Sequence, residues 1–150
     1  MGQSLTQIYV HAVTGTKFRK PLIHLDVEKE LHAYVSGILK NLGCPALAIN
    51  SMPDHIHLLF VLSKNENIAH VMREVKRTSS KWMKERGVSN FTWQGGYAAF
   101  SVDYRGVDPV KRYIQNQKEH HAKKSYKKEV EKLVEAYELN QYEEEFFWRD

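Results

Sequence analysis

Among 150 residues there is one cysteine, Cys44, so no disulfide can form within the chain, and no Cys/His cluster carries zinc-finger spacing. A disulfide-stapled scaffold is thereby excluded, and a reducing compartment is expected. No apolar run approaches the roughly 18 residues that a membrane-spanning helix needs, and the first residues lack a basic-then-apolar leader pattern. The expectation is a soluble, cytoplasmic protein. Repeats, low-complexity tracts and linkers are missing too, and with 42% hydrophobic residues the length suits one core and one domain spanning 1–150.

Acidic residues are scarce over most of the chain. Residues 1–128 hold 20 Lys and Arg against 10 Asp and Glu, whereas the remaining residues hold 2 against 8. A basic body followed by an acidic tail, from about residue 125, suits a polyanionic partner such as nucleic acid.

What the chain does have is periodicity. Ile8 to Val13 reads as a strand, and the basic segment Lys17 to Ile23 reads as its hairpin partner, with cations able to touch phosphate. Asp26 is the expected cap of a helix ending at Gly43, in which Leu31, Tyr34, Val35, Ile38, Leu39 and Leu42 recur at helical spacing. Ala46 to Asn50 is a strand pairing with the next. Asn65 or Asn67 caps a second helix, apolar at Ile68, Val71, Met72, Val75, Trp82 and Met83 and basic at Arg73, Lys76, Arg77, Lys81 and Lys84. Trp93, Tyr97 and Phe100 flank Gly95-Gly96 in a strand-like run and are candidates for stacking on unpaired bases. Asp108-Pro109 is expected to cap and start a helix from Val110 to His121, Ser125 a final one with Leu133, Val134 and Tyr137 on its apolar stripe, and the acidic, aromatic end reads as a docking segment.

Chemistry concentrates at His55-Ile56-His57. A strand sends alternate side chains to opposite faces, so the two imidazoles share a face while Ile56, Leu58, Phe60 and Leu62 enter a core. Neutral imidazole is a common metal ligand. Asp54 falls on the other face and is a poor ligand candidate. In the later helix, Tyr113 and Gln117 are four residues apart and share a face, with His120 and His121 a turn on.

Taken in order, His55-Ile56-His57, the Trp93 to Val102 stretch and the run Tyr113 to His121 closely resemble the single-tyrosine HUH transposases of the insertion-sequence-200 type, from Ile8 to about Glu129. The resemblance implies a ferredoxin-like, RRM-like α+β fold: an antiparallel sheet with helices packed on one face, plus C-terminal helices carrying the tyrosine. It implies His55, His57 and Gln117 as ligands of Mg²⁺ or Mn²⁺, and Tyr113 as the nucleophile that forms a 5′-phosphotyrosine link. The implied partner is single-stranded DNA with subterminal hairpins, handled by a homodimer in which Tyr113 and Gln117 of one chain can serve the histidines of the other. Arg73, Lys76, Arg77, Lys81, Trp93 and Tyr97 are the candidate nucleic-acid contacts. Two other readings stay open: a replication initiator or relaxase, against which the small size argues, and an RRM-like single-strand binder with a vestigial site.

Overall fold

Val10 and Ala12 alternate with His11 and Val13 along the first strand, β1 (Tyr9–Gly15), so each side of the sheet receives its own set of side chains. The computed structural model describes residues 2–120 and 124–149. After β1 come α1 (Leu25–Asn41), β2 (Ala46–Met52), β3 (His55–Val61), α2 (Ile68–Glu85) and β4 (Ala98–Val102). The strands form one four-stranded sheet in the order β2-β3-β1-β4, and every pairing is antiparallel. This is the ferredoxin-like α+β arrangement. On one side, Val10, Ala12, Ile56, Leu58 and Phe60 meet Leu31, Val35 and Leu39 of α1 and Val71, Met72, Val75 and Met83 of α2. The helical spacing of those apolar residues is what seats both helices there.

The opposite side is covered as well. α3 (Val107–Gln115) lays Val107, Val110 and Ile114 over β2 and β3, against Ala48 and Leu59. After the short α4 (Gln117–His120), α5 (Tyr126–Ala136) sets Tyr126 and Val130 against Val13, Ala98 and Phe100. The tail, with α6 (Glu144–Phe147), docks on the same cluster through Phe147 and Trp148. His55 and His57 are therefore fully buried rather than lying on the half-open face that strand alternation alone allows. Gly15 is needed here: a Cβ would overlap the Tyr126 ring and lie 3.0 Å from Gln94 Oε1. Among the described residues no helix is long and apolar enough to cross a membrane.

Several local expectations are corrected. Lys17 to Ile23 does not pair with β1; Lys17–Arg19 forms a 3-10 turn instead, with Lys17 N–H bonded to Thr92 O at 2.8 Å. The cap of α1 is His24, with no side-chain hydrogen bond, and Asp26 sits within the first turn, where its charge still faces the helix N-terminus. A 3-10 turn at Tyr104–Gly106 leads directly into α3, so Gly106 takes the cap position and Asp108-Pro109 fall inside the first turn. The expected helix Val110 to His121 is broken at Asn116, because Asn50 Nδ2 donates to Ile114 O at 2.9 Å and Gln115 O at 3.2 Å and satisfies the last carbonyls of α3. His121 lies outside the described residues. Asn67 and Ser125 cap α2 and α5 as expected.

Candidate active site

The two-residue turn at Pro53-Asp54 sends the chain from β2 into β3, and alternation then places His55 and His57 beneath α3 and α5. Each imidazole is held from behind through Nδ1. His55 Nδ1 lies 2.7 Å from Asp54 Oδ1, and His57 Nδ1 shares a 2.8 Å hydrogen bond with Nε2 of His11, itself buried on β1. Both Nε2 atoms are turned to one carboxylate on α5, Glu129, with Oε1 at 3.2 Å from His55 and 3.0 Å from His57. Tyr126, one turn earlier on α5, stacks on His55 at 4.3 Å between ring centroids, and its hydroxyl donates to Gln94 Oε1 at 2.7 Å.

The break at Asn116 brings the tyrosine helix onto the same centre. Tyr113 sets its ring edge-on to His57 and donates its hydroxyl to Glu129 Oε2. Gln117, fully buried, donates from Nε2 to Glu129 Oε2 at 3.0 Å, and its Oε1 lies 3.3 Å from His55 Nε2. Lys118 ties α4 down through Glu28 Oε1 at 2.6 Å and Ser51 O at 2.7 Å. Glu129 thus faces donors from three other side chains besides His55 while only 2% exposed, which is how a buried carboxylate becomes tolerable.

Electrostatics follow from that burial. His11 has its pKa lowered to about 3, first by desolvation and then by His57, so it stays neutral. For His55, burial is the largest influence and opposes charge, yet the Asp54 and Glu129 carboxylates outweigh it and the pKa is raised. The Tyr113 phenol is pushed well up, by burial first and then by the Glu129 charge and hydrogen bond. A phenol in this setting would need a proton acceptor and added positive charge to serve as a nucleophile.

The donor set suits a divalent cation. One ligand atom each from His55, His57 and Glu129 lie within 4.8 Å of one another, all three residues buried. Two imidazole nitrogens with a carboxylate match Mn²⁺ well and Mg²⁺ more weakly, and the Nδ1 partners Asp54 and His11 orient the ligating faces in the manner typical of metal-binding histidines.

All four residues expected at the centre are brought together within one chain. Glu129 and His11 were not singled out in the sequence, and Asp54, set aside as a ligand, instead supports His55. The expected nucleic-acid residues lie elsewhere. Arg73, Arg77 and Lys81 are exposed on α2, which packs on the other side of the sheet, and Arg77 is paired with Glu74 at 3.0 Å. Lys76 donates to Gly95 O at 2.9 Å and Gly96 O at 3.3 Å. Half-buried Tyr97 lines a cavity of about 340 Å³ with Arg73, Lys76 and Arg77. Stacking by Trp93 and Phe100 is corrected: Trp93 is core, its Nε1 donating to Ser79 Oγ at 2.9 Å, and Phe100 packs under Tyr137, so neither offers a face to a base.

The family model described as Transposase IS200 like matches residues 4–117, a stretch ending at Gln117 and stopping short of Glu129. The ISDra2 transposase TnpA of Deinococcus radiodurans is 23% identical over 118 residues, covering 74% of this chain and 84% of that protein. A candidate transposase structure from Deinococcus radiodurans R1 superposes with a TM-score of 0.61 at 22% identity, covering 78% of this chain and 96% of the other. The REP-associated tyrosine transposase bound to a REP hairpin superposes with a TM-score of 0.58 at 16% identity, covering 81% of this chain and 74% of the other. At these identities the two superpositions speak for the fold.

Proposed function

Because this chain belongs to the IS200-like transposase family, we propose that it cuts and rejoins single-stranded DNA at insertion-sequence ends, with Tyr113 as nucleophile and a divalent cation, Mg²⁺ or Mn²⁺, held by His55, His57, Gln117 and Glu129. One observation carries the reading: the Tyr113 hydroxyl, both histidine Nε2 atoms and the Gln117 amide converge on a single buried carboxylate. A cation bound there supplies positive charge beside the scissile phosphate, whose anionic oxygens otherwise repel a nucleophile.

The protein's own groups do the rest. Glu129 Oε2 holds the Tyr113 hydroxyl and takes its proton as the phenolic oxygen attacks phosphorus. A 5′-phosphotyrosine bond forms, the bond from phosphorus to the 3′-oxygen breaks, and the departing oxygen leaves as a 3′-hydroxyl once protonated. Attack by another 3′-hydroxyl reverses the exchange and returns the proton to Tyr113, joining strands without ATP. Neutral His11 keeps His57 oriented throughout, and Tyr126 excludes water from one side of His55.

The substrate is proposed to carry subterminal hairpins, and the α2 cations with Tyr97 are proposed to track its phosphates. Trp93 is left out because it is core. A homodimer is proposed as well, with each chain using its own Tyr113. The test is a covalent adduct on a denaturing gel, using hairpin oligonucleotides with single-stranded flanks from the element ends and Mn²⁺. Wild type should give the adduct, and Tyr113→Phe should give none while still binding DNA. An adduct of normal yield from Tyr113→Phe sinks the assignment.

A further inference from the structure

The turn after β1 holds an aromatic ring out in solvent. Phe18 and Arg19 both have φ of 57°, in the left-handed region that side chains with a Cβ rarely adopt, and two in succession are uncommon. The turn is held firmly: Thr16 N–H donates to Asp54 O at 2.9 Å, Arg19 N–H to Thr16 O at 2.9 Å, and Thr16 Oγ1 to Lys20 O at 2.6 Å. None of Lys17, Phe18 and Arg19 is buried, although Arg19 lays its guanidinium 4.9 Å from the Trp148 ring centroid. Phe18 remains 60% exposed, with the Lys17 ammonium 5.5 Å from its ring centroid. A strained backbone that displays an aromatic ring in water among cations is a placement for a partner.

What lies beside the turn indicates which partner. Arg19, Lys124, Asp54 and Tyr126 line a cavity of about 330 Å³. Its wall is the back of the candidate metal centre, since Asp54 bonds His55 and Tyr126 stacks on it. The Asp54 carboxylate in the lining bonds His55 and keeps its negative charge, against which stand the two cations of the lining, Arg19 and Lys124, with Lys17 and Lys20 nearby in sequence. An exposed ring adjoining a cationic cavity matches an unpaired nucleotide, base on ring and phosphate in the cavity.

We propose that the Lys17–Lys20 turn is a clamp for single-stranded DNA next to the cleavage centre, in which Phe18 stacks on an unpaired base and Arg19 and Lys124 hold an adjoining phosphate. The clamp rests on single-stranded DNA being the substrate and adds the residues that seat the strand running into the site. Stacking tolerates any base, so Phe18 supplies affinity and position rather than sequence choice.

Fluorescein-labelled dT20 is the probe, read by anisotropy without metal so that no cleavage intervenes. Phe18→Gly removes the ring while suiting the left-handed backbone; its melting temperature should not fall, yet its dT20 affinity should drop about 5- to 150-fold. Phe18→Trp should retain affinity. Arg19→Gln with Lys124→Gln should flatten the slope of log affinity against log salt by about 0.7 for each contact. Wild-type affinity in Phe18→Gly, or an unchanged salt slope in the double variant, overturns the clamp, as does a wild type that fails to bind dT20. The adduct assay separates the two claims. A wild type that forms no adduct, with variants that still lose dT20 affinity, defeats the transposase reading and leaves the clamp; a normal adduct with unaffected variants does the reverse.

Discussion

Replacing Glu129 by glutamine preserves the side chain's volume and turns one of its two acceptors into a donor. In the native site Oε2 accepts from Tyr113 and Gln117, and Oε1 faces the Nε2 atoms of His55 and His57. The amide can meet this by pointing its oxygen at Tyr113 and Gln117 and its NH₂ at the imidazoles. Each imidazole can then present a lone pair, because its Nδ1 has an acceptor to donate to: Asp54 behind His55, and His11 behind His57. Hydrogen bonds to a charged group, about 1.5–3 kcal/mol each, become neutral ones near 1 kcal/mol. Over the four contacts the gross loss is about 2–8 kcal/mol, much of it offset because an amide costs less to bury than a carboxylate, so the metal-free protein should lose about 1–3 kcal/mol, or about 2–12 °C in Tm at this chain length. The loss of ligand charge should add a further loss with metal. Wild type at Mn²⁺ one hundred times above Kd gains about 2.7 kcal/mol, whereas a site weakened tenfold gains about 1.4 kcal/mol at the same concentration. Glu129→Gln should therefore forfeit about half of the Mn²⁺-induced Tm shift, and calorimetry should give a Kd at least about tenfold higher. An unchanged Kd and an unchanged Mn²⁺ shift would refute the carboxylate's place in the metal centre.

Two further outcomes are expected. Gly15→Ala should lower Tm by about 2–12 °C, from an overpacking cost of about 1–3 kcal/mol as its methyl drives into Tyr126; an unchanged melting curve would show that Tyr126 yields without cost. Mixing a His55→Ala/His57→Ala chain with a Tyr113→Phe chain should restore no adduct in verified heterodimers, because α3 returns to its own sheet; recovery would mean that the helix crosses to the partner.

The sheet, the first two long helices and the histidine pair were legible because each rests on local periodicity: three-four spacing at Leu31, Val35 and Leu39, and alternation from His55 to Phe60. Asn67 and Ser125 were legible because a cap acts three residues away. What escaped depends on distant partners. Glu129 lies 72 residues from His57 and is one of 8 acidic residues in the last stretch of chain, so charge counting merges it with the acidic tail. One signal was available: Glu129 stands three after Tyr126 and four before Leu133, in register with the buried stripe of α5, where a lone carboxylate demands partners. The break at Asn116 depends on Asn50, and the burial of Trp93 on Ser79; neither partner adjoins the residue it controls.

The order in which the centre's residues occur along the chain sets a timetable. Synthesis proceeds from the N-terminus, so His11, His55 and His57 are made first, Tyr113 and Gln117 later, and Glu129 last. A nascent chain stopped before α5 has Tyr113, the proposed nucleophile, without the Glu129 carboxylate that accepts its hydroxyl proton in the hydrogen bond, and His55 without the Tyr126 ring stacked on it. On the proposed reading, cutting competence then arrives only once α5 has been made, after α2 and the Lys17–Lys20 turn that are proposed to seat the DNA.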